Sequence, residues 1–79
     1  MSGAYLPLAM AAEGEKVRVA AFAGGKSMQK KLGDLGIVPD KIIKVVNKQE
    51  RGGIVVSVEE TRLALGFGMA QKVLVEPLG

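Results

Sequence analysis

Ile42-Ile43-Lys44-Val45-Val46-Asn47-Lys48, Ile54-Val55-Val56-Ser57-Val58 and Thr61-Arg62-Leu63-Ala64-Leu65 are three short aliphatic-rich runs in close succession. Arg51-Gly52-Gly53 separates the first two, and Glu59-Glu60 separates the second two. Runs of this length, broken by Gly or by a two-residue polar step, read as strands joined by tight turns. Such breaks are too short for a crossover helix, so successive strands must be antiparallel. In residues 42–48 the apolar residues come in pairs, which predicts partial cover on both faces.

The same pattern continues on either side. Lys16-Val17-Arg18-Val19-Ala20-Ala21-Phe22 alternates, with Val17, Val19 and Ala21 on one face, and predicts a half-buried strand. Gly24-Gly25 breaks it. Val73-Leu74-Val75 predicts the last strand, stopped by Pro77. Between the first two strands lies one helix. Ser27 is its expected N-cap, and Met28, Leu32 and Leu35 fall on one face. Gly36 stands where a left-handed residue ends a helix, with Ile37 placed to pack back on Leu32. Pro39-Asp40 is a turn pair. Leu6-Pro7-Leu8-Ala9-Met10-Ala11 predicts an apolar plug of one helical turn with Pro7 near its start. Glu13-Gly14-Glu15 is a turn, and residues 67–71 predict a second single helical turn. The expected architecture is mainly β with one inserted helix, an antiparallel sheet of about five strands curled into a small barrel. The 79 residues make one domain, 1–79, with residues 1–5 a loose terminus.

Composition narrows the chemistry. The chain has no Cys and no His, so it has no disulfide, no thiolate ligand and no imidazole base. Ser27 and Ser57 lack a partner that would make them nucleophiles. Gly24-Gly25-Lys26-Ser27 lacks the first glycine of a phosphate loop and reads as a turn entering a helix. Glu59-Glu60 is the one adjacent acidic pair, and exposed hairpin charge is its simplest reading. The expectation is a non-enzymatic chain that needs no cofactor or metal.

Eleven basic and eight acidic residues give a net charge of +3, and residues 26–51 alone carry +4. A basic segment of this kind is either a solvated face or a contact for an acidic partner. It has no interleaved aromatics on which single-stranded bases would stack, so nucleic acid is not the expected partner. No apolar run approaches the length that spans a bilayer, and the expected location is the cytoplasm.

With Lys31-Leu32-Gly33-Asp34-Leu35 leading into Gly36-Ile37-Val38-Pro39, the chain resembles the FeoA family, whose basic helix ends in a Leu-Gly-apolar-x-Pro-Gly pattern. Thr61-Arg62-Leu63-Ala64-Leu65-Gly66, Ala70 and Val73-Leu74-Val75 resemble the family's second block, and Leu8-Ala9 with Gly14-Glu15-Lys16-Val17 its opening. The likeness covers residues 6–76. It departs at two glycine positions: Asp40 follows the proline, and Glu59-Glu60 occupies the hairpin. The resemblance implies an SH3-like barrel and a cytosolic accessory of ferrous iron transport. The implied partner is the FeoB permease, through its cytoplasmic GTP-binding part. Lys26, Met28, Lys30, Lys31 and Leu35 on the helix are the expected partner-binding residues. Two other readings are a nucleic-acid-binding SH3-like module and a regulatory domain of the metal-dependent repressor type.

A chain without Cys or His that relies on aliphatic burial folds without metal. Chelator treatment is expected to leave the melting temperature unchanged within error; a drop of several degrees would reveal a carboxylate-bound ion that contributes to folding.

Overall fold

The computed structural model describes residues 5–78. Six strands form one antiparallel sheet: β1 (Leu6–Pro7), β2 (Lys16–Phe22), β3 (Ile42–Lys48), β4 (Ile54–Val58), β5 (Thr61–Leu65) and β6 (Val73–Pro77). Their order across the sheet is β1-β6-β2-β3-β4-β5. Helix α1 (Lys26–Asp34) is inserted between β2 and β3, and a single turn, α2 (Phe67–Ala70), joins β5 to β6. Strands β2 to β6 all send side chains into one core with Leu32 of α1 and Leu8, so the sheet curls around it. Its two edges, β1 and β5, are not hydrogen-bonded to each other, and the curled sheet stays open.

Every buried side chain is aliphatic, and no polar or charged one is buried among the described residues. Val17 and Val19 of β2, Ile43 and Val45 of β3, and Val56 of β4 alternate with exposed or half-buried neighbours, as period-2 strands with one covered face should. Residues 42–48 therefore do not have both faces covered equally. Ile43 and Val45 are buried, whereas Ile42 is 51% exposed and only Val46 of the outer residues is half-buried. Bulges between Val19 and Ala21 and between Val45 and Asn47 bend β2 and β3, which adds to the curl.

The expected count of five strands is one short. Pro7 is extended (φ −62°, ψ 142°) and joins β1 at the sheet's edge, where its missing N–H breaks no ladder. The helical turn expected there begins one residue later, as a 3-10 turn over Leu8–Met10. At the other end β6 continues through Pro77, paired with Val17; among the described residues, β1 does not extend to Pro77. Of the terminal segment 1–5 expected to be loose, residues 1–4 lie outside the described residues, and Tyr5 is exposed.

Helix α1 starts earlier than Ser27 would place it. Its N-cap is Gly25, which accepts from the Gln29 N–H at 3.1 Å, and no side chain caps the helix. Glycine is itself an accepted N-cap residue. Met28 lies against Gly24, where a β-carbon would come within 2.5 Å of its sulfur. The C-terminal end is as expected. Gly36 takes φ 91°, the Gly36 N–H donates to the Gly33 carbonyl at 2.9 Å, and the Ile37 N–H donates to the Leu32 carbonyl at 2.9 Å. This is the Schellman pair of bonds, closed by Leu32 and Ile37, both fully buried.

A β-carbon at Gly36 would be in a left-handed backbone and 3.4 Å from Val58, whereas one at Gly33 would meet only Val38 at 3.9 Å. Gly36→Val is expected to cost about 1 kcal/mol or more. Gly33→Ala should be neutral or stabilising by up to about 1 kcal/mol, because Ala is the better helix former. Urea melts giving equal costs for the two would refute the cap.

Candidate functional site

Among the described residues two non-glycine residues have positive φ, Asp40 (74°) and Glu59 (58°); they fall after the proline and in the Glu59-Glu60 hairpin, where the resemblance expects glycine. Asp40 follows Pro39 in a turn closed by the Lys41 N–H donating to the Val38 carbonyl at 3.1 Å. Pro at the second place and positive φ at the third make this a type II turn, which Asp tolerates better than most residues. Glu59 takes the first place of the two-residue hairpin between Val58 and Thr61. Lys41 Nζ donates to Glu59 Oε2 at 2.6 Å and so ties the two turns together. That hydrogen bond, with the charge of Lys41, holds the Glu59 carboxyl below its ordinary value. No group of three carboxylates suited to a metal ion occurs among the described residues.

A surface hollow lies between α1 and the β5–α2 corner. It measures roughly 480 Å³, with Lys31, Asp34 and Leu35 on the helix side and Ala64, Leu65, Gly66 and Met69 opposite. The last turn of α1 and the edge strand β5 thus form its walls. Leu35, at the end of the helix, is 42% exposed into it.

The five residues singled out on the helix divide here. Lys31 and Leu35 line the hollow. Lys26 and Lys30 are exposed outside it, and Lys30 lies 3.6 Å from Asp34, one turn on. Met28 is half-buried, packed on the core, and contributes more to the fold than to a surface. The helix dipole bears differently on the three lysines. Only Lys26 sits at the N-terminus, where a cation is disfavoured; Lys31 lies in the last turn, where a cation is favoured. The opposite wall was not legible as a site. Ala64 and Leu65 read as strand, Gly66 as its stop and Met69 as a turn residue, and nothing in their spacing shows that β5 ends beside the helix.

Three comparisons bear on identity. A model of the FeoA domain matches residues 6–77. The chain belongs to the FeoA family. A Methanocaldococcus jannaschii protein provisionally named Fe(2+) transport protein A is 36% identical over 70 residues, 89% of this chain and 84% of that protein. The crystal structure of a protein described as iron uptake regulatory protein (FeoA) superposes with a TM-score of 0.84 at 33% identity, covering 96% of this chain and all of that one. A manganese-dependent transcriptional repressor shares the fold at a TM-score of 0.88 and 24% identity, with 99% of this chain matching 44% of the repressor. The SH3-like architecture is thus shared beyond the family. No helix among the described residues is long and apolar enough to cross a membrane.

Because the Glu59 carboxyl is held low in the folded chain, its pairing with Lys41 favours folding above the ordinary glutamate pKa. The contribution is lost as pH falls through the lowered folded value. An NMR titration is expected to place Glu59 below the ordinary glutamate value, and Lys41→Met should bring it back towards that value. Identical titration of Glu59 with and without Lys41 would show that the pair does not form in solution.

Proposed function

We propose that this chain is a cytoplasmic accessory protein of ferrous iron transport that docks on the cytoplasmic GTP-binding part of a FeoB-type permease and regulates it by protein contact. The match of the FeoA domain over residues 6–77 carries the transport assignment. The hollow beside α1 supports the docking assignment. An exposed leucine, an exposed methylene stem and a nearby edge strand suit an apolar side chain of a protein partner better than a solute bound by charge. Among the described residues Lys31 has no ion-pair partner, unlike Lys30, and it places a cation at the rim. Rim charges act mainly on association rate and salt dependence, and buried apolar anchors on dissociation.

The two contributions are separable. Lys31→Glu is expected to weaken binding to the isolated cytoplasmic domain of the permease, most strongly at low salt. It should cost at most about 1 kcal/mol of stability, because it puts an anion in the last turn of the helix. Leu35→Ser is expected to weaken binding at all salt concentrations. If both variants, shown to be folded, bind as the parent does in calorimetry, the permease contact lies elsewhere on the protein.

A further inference from the structure

The outer face of the sheet carries a second feature, distinct from the hollow at α1. Lys16 on β2 stands directly opposite Lys44 on β3, Lys44 opposite Ser57 on β4, and Ser57 opposite Arg62 on β5. Directly opposed residues point to the same face, so these four form a row across four strands. At the spacing of neighbouring strands the row is about 14 Å long. Lys16, Lys44 and Arg62 are exposed. None of the three is in an ion pair among the described residues, although the cations around them are: Arg18 lies 2.7 Å from Glu76, and Lys41 lies 2.6 Å from Glu59. Two lysines directly opposed across a strand pair repel each other and weaken the sheet.

Beside this row is a hollow of roughly 260 Å³ lined by Lys16, Ile42, Lys44, Ser57 and Glu59. Ile42 is 51% exposed there. The Glu59 carboxylate is already engaged by Lys41 and leaves the two lysines uncompensated. The site therefore offers uncompensated positive charge, an apolar side wall and a shape open along the row.

We infer that this sheet face docks an acidic, extended segment of a partner protein, with carboxylates on the Lys16–Lys44 pair and on Arg62 and an apolar side chain against Ile42. Charge complementarity selects the ligand's sign, and the rest of the face selects its class. A flat anionic membrane would also have to lie over Glu59, which lines the hollow, and over Glu76, which is paired with Arg18 on the strand that carries Lys16; a segment one strand wide along the row need not cover Glu76. Nucleic acid would find no aromatic side chain in the row on which to stack. The inference is independent of the permease assignment, because the row and the α1 hollow share no residue.

The test uses the acetylated, amidated peptide Glu-Glu-Leu-Glu-Glu-Leu as probe, titrated into isotope-labelled protein and followed by amide shifts. Shifts are expected at Lys16, Ile42, Lys44, Ser57 and Arg62. Affinity should fall about tenfold or more as ionic strength rises from about 0.05 to 0.3 M, as for exposed charges screened beyond the Debye length. The Lys16→Gln, Lys44→Gln double variant is expected to lose binding about tenfold or more while melting at the same or a higher temperature, because the like-charge contact is gone. Lys44→Glu, which turns repulsion into attraction, should melt higher still and not bind. The inference is overturned if shifts map elsewhere, if the Gln-for-Glu peptide binds equally well, or if the double variant binds as the parent does. It is equally overturned if phosphatidylserine vesicles or an RNA oligonucleotide engage the same residues more tightly than the peptide.

Discussion

The hydrogen bond from the Ile37 N–H to the Leu32 carbonyl fixes the position of α1 relative to the sheet. It closes the helix so that Leu32, its one fully buried residue, and Ile37, the first buried residue beyond it, enter the core together. Three residues later the Asp40 N–H donates to the Val19 carbonyl at 2.7 Å, and the Val19 N–H donates to the Lys41 carbonyl at 2.9 Å. The chain is thus pinned to β2 as soon as it leaves the helix. A core made only of aliphatic side chains has no polar contact to set direction, so backbone bonds at such corners do that work.

From that corner the two candidate surfaces follow. The end of α1 is held against the β5–α2 corner, which leaves Leu35 and Lys31 facing Ala64 and Met69 across a hollow. The type II turn at Pro39-Asp40 sets the entry into β3, and with it the register that brings Lys44 opposite Lys16. The positive φ of Asp40 and Glu59 is tolerable because both residues lie in exposed turns joined by Lys41. In the family pattern glycine would give the same turns without strain, but glycine at position 59 would not carry the ion pair with Lys41 that links them.

The two proposed docking surfaces have opposite logic. The hollow at α1 is apolar with a charged rim, the arrangement of an interface anchored by burial. The row on the sheet is charged with an apolar edge, the arrangement of a contact that tunes rate and salt dependence. Both adjoin β5, whose outer edge is unpaired and whose residues Arg62 and Ala64 belong to the row and the hollow respectively.

Much of the fold was determined locally. Four strands have the bounds that their alternation and glycines predict, because period-2 burial and turn chemistry act over a few residues. The helix end at Gly36 was legible for the same reason. The helix start was not: Gly25 stands at the N-cap in place of Ser27, and no side chain caps the helix. Nor was the strand at Leu6–Pro7, which forms only because β6 offers an edge to pair with. The candidate sites divide in the same way. That the helix is basic, and that Lys31 and Leu35 lie near its end, follows from the sequence. That β5 supplies the opposite wall, and that Lys16 faces Lys44, were decided by strand order and register. These bring together residues far apart in the chain, and no local pattern encodes the pairing.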